Sequence, residues 1–292
     1  HVPFLWVLLF YFMTGLWIWK KNGQNRHIRI SLAYVIMIIL IWIPMARRKS
    51  LAFLDVGQGD CFVADTKSGM IIFDGGSSSE DQVGRYRILP YMKYLGYQKI
   101  QIAVISHMDI DHYSGIKELL EMGKIKYLGL PEIPKDETMK KIIGIAKKRG
   151  TTIFYLSRGR QITTKDGSLK VLHPQKNSQM EKNAASLVMQ GKILGYRVLL
   201  TGDVEKEGEE ELLSEELERA DILKAAHHGS KNSTSNEFLQ KVQPKQTVIS
   251  CGKQNRYGHP HLETIHRLQT YRTKIYRTDR SGAIIFFKRR DG

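Results

Sequence analysis

The segment Ser106-His107-Met108-Asp109-Ile110-Asp111-His112, directly behind the apolar run Ile102–Ile105, constrains this chain more than anything else in it. Four metal-competent side chains within six residues cannot all sit in an apolar core, where unpaired ionisable groups are costly. In a turn that leaves a strand and opens a helix, they can converge on one point. Two imidazoles and two carboxylates give the mixed nitrogen and oxygen donors that a borderline-to-hard divalent cation takes. A polar loop with a capped helix is the simpler alternative, but it needs only Asp111 of the four.

From Ser50 onward, short β-rich runs alternate with helical stretches. Strands are expected over Leu51–Asp55, Asp60–Asp65, Met70–Phe73, Ile102–Ile105, Ser186–Gln190, Tyr196–Leu200, Ile222–Ala225 and Thr247–Ser250, among others. Helices are expected over Tyr113–Glu121, Glu137–Arg149, Lys206–Glu218 and Leu262–Arg272. Such alternation predicts a layered α/β domain rather than a bundle or a β-sandwich. No internal repeat or low-complexity tract interrupts it. The two cysteines, Cys61 and Cys251, are too far apart for a metal knuckle and are read as buried thiols rather than a disulfide.

The first 49 residues differ in kind. Val2–Trp19 and Ile30–Met45 are apolar runs of 16–18 residues, separated by the basic loop Lys20–Arg29. Each approaches the ~20 residues needed to cross ~30 Å of hydrocarbon, so a two-helix transmembrane hairpin is expected over 1–49 and a separate domain over 50–292. There is no charged start or small-residue cleavage site of a signal peptide. The chain begins with His, which suggests the tail of a longer membrane protein. Loop charge, by a thin margin, places the C-terminal domain outside the cell membrane. The whole chain carries 45 Lys+Arg against 29 Asp+Glu, and the later domain stays net basic by itself. That balance favours a polyanionic partner such as nucleic acid or anionic lipid.

The motif after Ile102–Ile105 resembles the HxHxDH signature of the metallo-β-lactamase superfamily, here in the form HxDxDH. Other positions match in order: Asp74 in Phe73-Asp74-Gly75-Gly76, Asp203 in Thr201-Gly202-Asp203, and His227-His228-Gly229-Ser230. Asp55-Val56-Gly57-Gln58-Gly59-Asp60 and Asn255-Arg256-Tyr257-Gly258-His259-Pro260 make the match similar to the C-terminal domain of ComEC-type competence proteins. The resemblance implies an αββα sandwich and a centre for two divalent ions, Mn²⁺ or Zn²⁺. Its implied ligands are His107, Asp109, Asp111, His112, Asp203 and His227, with His227 and His228 interchangeable at this point. Asp74, Asp55, Asp60 and Asn183 would orient those ligands. This sequence departs from the pattern at Asp109, where a His is usual. It departs again near Asn183, where a further His is expected and the nearest is His173. A site so poor in nitrogen suits Mn²⁺ or Mg²⁺ better than Zn²⁺.

By the same resemblance, the reaction is phosphodiester hydrolysis by an activated water that Asp111 orients. His228 and His259 would contact the phosphate or protonate the leaving oxygen. Ser230, Lys231, Asn232 and Arg256 are expected to hold DNA without reading bases, and tyrosines among the basic residues of the tail could stack unpaired ones. Partners implied are DNA, the membrane, an upstream channel domain and a competence DNA receptor. Two other readings stay open: a hydrolase of another ester on the same fold, such as a phosphocholine esterase, and a DNA-guiding module without turnover.

Overall fold

The computed structural model describes residues 4–19, 31–32, 34–36, 48–181 and 183–289. The chain divides into two compact units, His1–Arg48 and Lys49–Gly292. In the first, Phe4–Trp19 is a 16-residue helix without a charged residue. At ~1.5 Å per residue it spans about 24 Å, short of the ~30 Å of a bilayer core. Among the described residues no helix is long and apolar enough to cross a membrane. Of the second apolar run, only residues 31–32 and 34–36 are described, and these are helical. The rest of that run lies outside the described residues, so the expected hairpin is not a feature of the described structure.

The second unit is built on two seven-stranded sheets. One contains β1 (Ser50–Phe53), β2 (Phe62–Thr66), β3 (Gly69–Phe73), β4 (Ile100–Val104), β5 (Ile125–Pro131), β6 (Thr152–Leu156) and β14 (Ile284–Phe287), in the order β14-β1-β2-β3-β4-β5-β6. The other contains β7 (Gln161–Thr164), β8 (Gly167–His173), β9 (Val188–Ile193), β10 (Tyr196–Leu200), β11 (Ile222–Lys224), β12 (Gln246–Ile249) and β13 (Lys274–Arg277), in the order β13-β12-β11-β10-β9-β8-β7. Each sheet is mixed. Strands β3 to β6 run parallel, as do β10 to β13, and the remaining neighbours are antiparallel.

Alternation along the strands separates three cores. In β1, Leu51 and Phe53 point between the sheets, where Phe53 meets Phe62 with ring centroids 5.1 Å apart. Ala52, together with Met70 and Ile72 of β3, points the other way, under Ile116, Leu119 and Leu120 of the helix Ile110–Glu121. On the far side Leu199 and Leu223 pack against Phe238 and Leu239 of the helix Asn236–Val242 and Leu268 of the helix Leu262–Thr270. Burying each such Leu or Phe is worth about 1.5–3 kcal/mol, so both sheets are covered on both faces. The layers are therefore helix, sheet, sheet, helix.

Element ends shift from the sequence expectation for local reasons. The helix expected from Tyr113 starts at Ile110, which places Asp111 and His112 in its first turn. The helix expected over Lys206–Glu218 stops at Leu213, one residue after Leu212, its last contribution to the core. Strand β7 was not expected because its sequence, Gln-Ile-Thr-Thr, offers one apolar residue, as suits an edge. Cys61 and Cys251 are both buried free thiols, and burial pushes the Cys251 thiol up to about 12.

Candidate metal centre

Strand ends from both sheets meet at one place. Asp74 follows β3, Ser106–His112 follow β4, Asp203 follows β10, His227 and His228 follow β11, and Ser250 follows β12. These are carboxyl ends of strands that take part in parallel pairs, where α/β sheets characteristically bind ligands. The backbone approaches closely here: a Cβ on Gly76 would lie 2.5 Å from the Ile110 carbonyl oxygen, so only glycine lets the strand end close on the metal-motif helix. His227 and His228 both adopt left-handed backbone, with φ of 47° and 53°. Such conformations cost of order 1–3 kcal/mol each and cluster at functional sites.

Asp74 Oδ1 accepts the Ser106 amide at 2.7 Å, and Asp74 Oδ2 lies 3.0 Å from His112 Nδ1. A carboxylate can only accept, so His112 Nδ1 carries a proton, which leaves Nε2 as the atom able to offer a lone pair to a cation. The same logic fixes His228, whose Nδ1 lies 2.9 Å from the Ser250 carbonyl oxygen. Both Nε2 atoms are buried without a hydrogen-bond partner. They point to the same carboxylate oxygen, Asp203 Oδ2, at 3.1 Å from His112 and 3.3 Å from His228. Asp111 Oδ2 is 3.4 Å from His228 Nε2. Orphaned lone pairs facing buried carboxylates are what a divalent cation fits.

Ligand atoms of Asp60, His112, Asp203 and His228 lie within 4.8 Å of one another. Asp60, however, faces the protonated edges of the rings, 3.7 Å from His112 Nδ1 and 3.6 Å from His228 Nδ1. We therefore assign the cation nest to His112 Nε2, His228 Nε2, Asp203 and Asp111, with Asp60 behind it.

The electrostatics agree with that division. Burial opposes charge on His112 and His228, but Asp203, joined by Asp74 at His112 and by Asp60 and Asp111 at His228, outweighs it and holds both imidazoles well above their ordinary range. Burial likewise opposes ionisation of Asp203, and His112, His228 and Lys224 outweigh it, so its carboxyl stays well below the usual value. A cation entering the nest replaces protons on the imidazoles.

Other expected site residues fall into place around this nest. His107 Nε2 is buried, without a hydrogen-bond partner, 3.5 Å from Asp109 Oδ2, and its Nδ1 is held by the hydroxyls of Ser106 at 3.0 Å and Ser186 at 3.3 Å. Asn183 lines a cleft with Asp109 and Glu205. His173 does not enter the centre: its Nε2 donates to the Ala184 carbonyl at 2.7 Å, and its Nδ1 is 3.3 Å from Glu211. Asp55 accepts the Gly57 amide at 3.2 Å, within its own loop.

Of the two adjacent histidines, which the sequence leaves interchangeable, the geometry turns His228 towards the nest. His227 turns its Nδ1 to Glu205 at 2.8 Å and keeps its Nε2 3.8 Å from Asp203. Ser230 cannot present a hydroxyl to DNA, because it is buried and its Oγ accepts the Asn232 amide. Lys231, Asn232 and Arg256 are exposed or nearly so. Burial and the neighbouring His228 and His227 push His259 down to about 4.

Lys224 is the functional residue that sequence reasoning missed. It is buried at the end of β11, and its ammonium bonds the Gly202 carbonyl at 2.8 Å, lies 3.4 Å from Asp203 Oδ1 and pairs with Asp60 Oδ2. The available signal was a lone charge closing the apolar strand Ile222-Leu223-Lys224. A second missed pair clamps the loop after His228. Buried Glu209 accepts the Thr234 and Ser235 amides, and Arg267 donates to the carbonyls of Lys231, Ser233 and Thr234.

Residues 54–253 match the family model described as the metallo-beta-lactamase superfamily. The chain belongs to the metallo-β-lactamase superfamily. It is 35% identical to ComE operon protein 3 of Bacillus subtilis across 94% of this chain, and 30% identical to competence protein ComA of Neisseria gonorrhoeae across 82%. It spans only 38% and 32% of those two proteins' lengths. It is thus a metallo-β-lactamase-fold domain related to competence proteins. Among solved structures, the metallo-beta-lactamase fold protein YhfI of Bacillus subtilis superposes with a TM-score of 0.56 at 13% identity, over 81% of this chain and 99% of that one. CmlA, a diiron beta-hydroxylase from Streptomyces venezuelae, gives 0.53 at 10% identity, over 90% and 59%. At such identities, both likenesses concern the fold.

Proposed function

We propose that this chain is the metal-dependent nuclease part of a membrane DNA-uptake protein, hydrolysing phosphodiester bonds of the incoming strand that is not taken up. The observation that carries the hydrolytic part is the pair of buried Nε2 lone pairs on His112 and His228, aimed at one Asp203 oxygen with both Nδ1 atoms committed elsewhere. Asp111, His112, Asp203 and His228 would hold one divalent ion, and the neighbouring His107 and Asp109 would hold a second. When bound, such ions activate water and offset charge on a phosphate.

The chain's own residues do the rest. Asp74 and the Ser250 carbonyl fix the two ring orientations, and Lys224 holds Asp203 by Oδ1 so that Oδ2 faces the rings. Exposed Lys231 and Arg256 supply positive charge for the strand's flanking phosphates.

The names of the relatives and the net charge of +16 support DNA as substrate. The charge-free apolar helix Phe4–Trp19, whose Leu8, Tyr11 and Phe12 are all exposed, supports attachment to a membrane and to an upstream channel domain. The C-terminal domain would then stand outside the cell, within reach of a DNA receptor. The test is cleavage by the full chain in detergent, comparing Mn²⁺, Mg²⁺ and Zn²⁺ on linear DNA and on a small phosphodiester. Mn²⁺-stimulated DNA cleavage is expected. Turnover of the small ester alone would point to another esterase, and DNA retention that survives chelation without cleavage would point to a guiding module.

A further inference from the structure

A row of rings leads from the metal centre to the surface. The His259 ring lies 6.1 Å from His228 and 5.4 Å from His227. Tyr257 stacks on His259 at 5.7 Å and 22°. The Arg256 guanidinium lies 4.9 Å from the Tyr257 ring and donates to its hydroxyl at 2.6 Å. Exposure grows along the row, from 1% at His228 through 9% at His259 to 42% at Tyr257.

The loop that carries the row is firmly held. The Asn255 side chain accepts the His259 amide at 2.9 Å and donates to the carbonyls of His259 and Gly252. The His261 ring packs 4.9 Å from His259, and its Nδ1 accepts the Lys231 amide at 3.1 Å. His259 Nδ1 is buried without a hydrogen-bond partner. A large ring is thus left half-exposed on a firmly held loop, beside a guanidinium and next to the metal centre.

We propose that Arg256, Tyr257 and His259 form a subsite for an unpaired nucleobase beside the phosphate held at the metal centre, so that the domain selects single-stranded over double-stranded nucleic acid. The proposal rests on the nuclease reading above and names its substrate class. Every base has a π-face, so stacking on tyrosine or a guanidinium plane discriminates little among bases. A duplex keeps its bases paired and stacked inside, and offers this platform only sugar and phosphate. Phosphate contacts alone would bind either form, so the preference comes from the rings.

Anisotropy titrations of the full chain in detergent and excess chelator test this with three labelled DNAs of equal length: a single strand, the same strand made abasic throughout, and a duplex. The parent is expected to bind the normal single strand about tenfold more tightly than either of the others. Tyr257→Ala should bring all three within about twofold, and Tyr257→Phe should keep the preference. Equal binding of normal and abasic strands by the parent, or survival of the preference in Tyr257→Ala, overturns the subsite. Cleavage is read separately: a parent that cleaves no DNA under any metal yet keeps the preference defeats the nuclease reading and leaves the subsite standing.

Discussion

On the nuclease reading, Asp203→Ala is expected to lower metal-dependent DNA cleavage by more than about 100-fold while leaving the domain folded. The magnitude follows from a ranking. Removing a group that only orients a ligand typically costs 10–100-fold in metal affinity or activity, and Asp74→Asn, which acts through His112 Nδ1, belongs in that range. Asp203 stands closer to the chemistry, with one oxygen facing the Nε2 atoms of both His112 and His228. Its loss should therefore exceed that of Asp74. Folding survives because Lys224 retains Asp60 and the Gly202 carbonyl. Asp55→Asn is the control, since among the described residues Asp55 bonds only within its own turn, and near-parental cleavage is expected. Cleavage of DNA at the parental rate by Asp203→Ala would contradict the assignment.

The second large effect is on stability. Lys224→Met leaves Asp60 and Asp203 buried without their shared ammonium, and breaking a buried ion pair from one side typically costs about 3–5 kcal/mol. Chemical denaturation of metal-free protein should show that loss. Asp60→Asn combined with Lys224→Met should recover much of it, because the uncompensated charge then goes too.

A pH signature accompanies the pair. Burial pushes the Asp60 carboxyl up, but Lys224 and His228 outweigh it and draw it down to about 2. A carboxyl depressed in the folded state stabilises fully above its ordinary value near ~4 and loses that contribution as pH falls towards about 2. In Lys224→Met the Asp60 carboxyl returns towards its ordinary value, so this part of the acid dependence should flatten and the gap in stability between variant and parent should narrow as pH falls towards about 2. An unchanged melting curve and acid limb would show that Lys224 is a passive passenger.

Much of this was legible in the sequence because the signals are local. Buried parallel strands such as Ile100–Val104 and Ile222–Lys224 are short apolar runs, and the acidic and imidazole cluster follows one of them directly. The less legible features depend on distant or conformational facts. Lys224 reads as an interruption of its strand, and only the fold shows Asp60 arriving from the other sheet to meet it. Adjacent histidines cannot be ranked from spacing. Left-handed backbone at both positions and the Ser250 carbonyl just after β12 decide that His228, not His227, faces the nest. Ser230 looked like surface because small hydroxyl residues crowd that stretch, yet Glu209 and Arg267 fold it inward. Strand β7 carries too little apolar pattern to be seen alone.

The most direct test is anomalous diffraction from crystals soaked in Mn²⁺. A peak at about 2.0–2.3 Å from His112 Nε2, His228 Nε2 and an Asp203 oxygen is the expected result. Manganese bound instead on the Asp60 and Lys224 side, away from both Nε2 atoms, would contradict it.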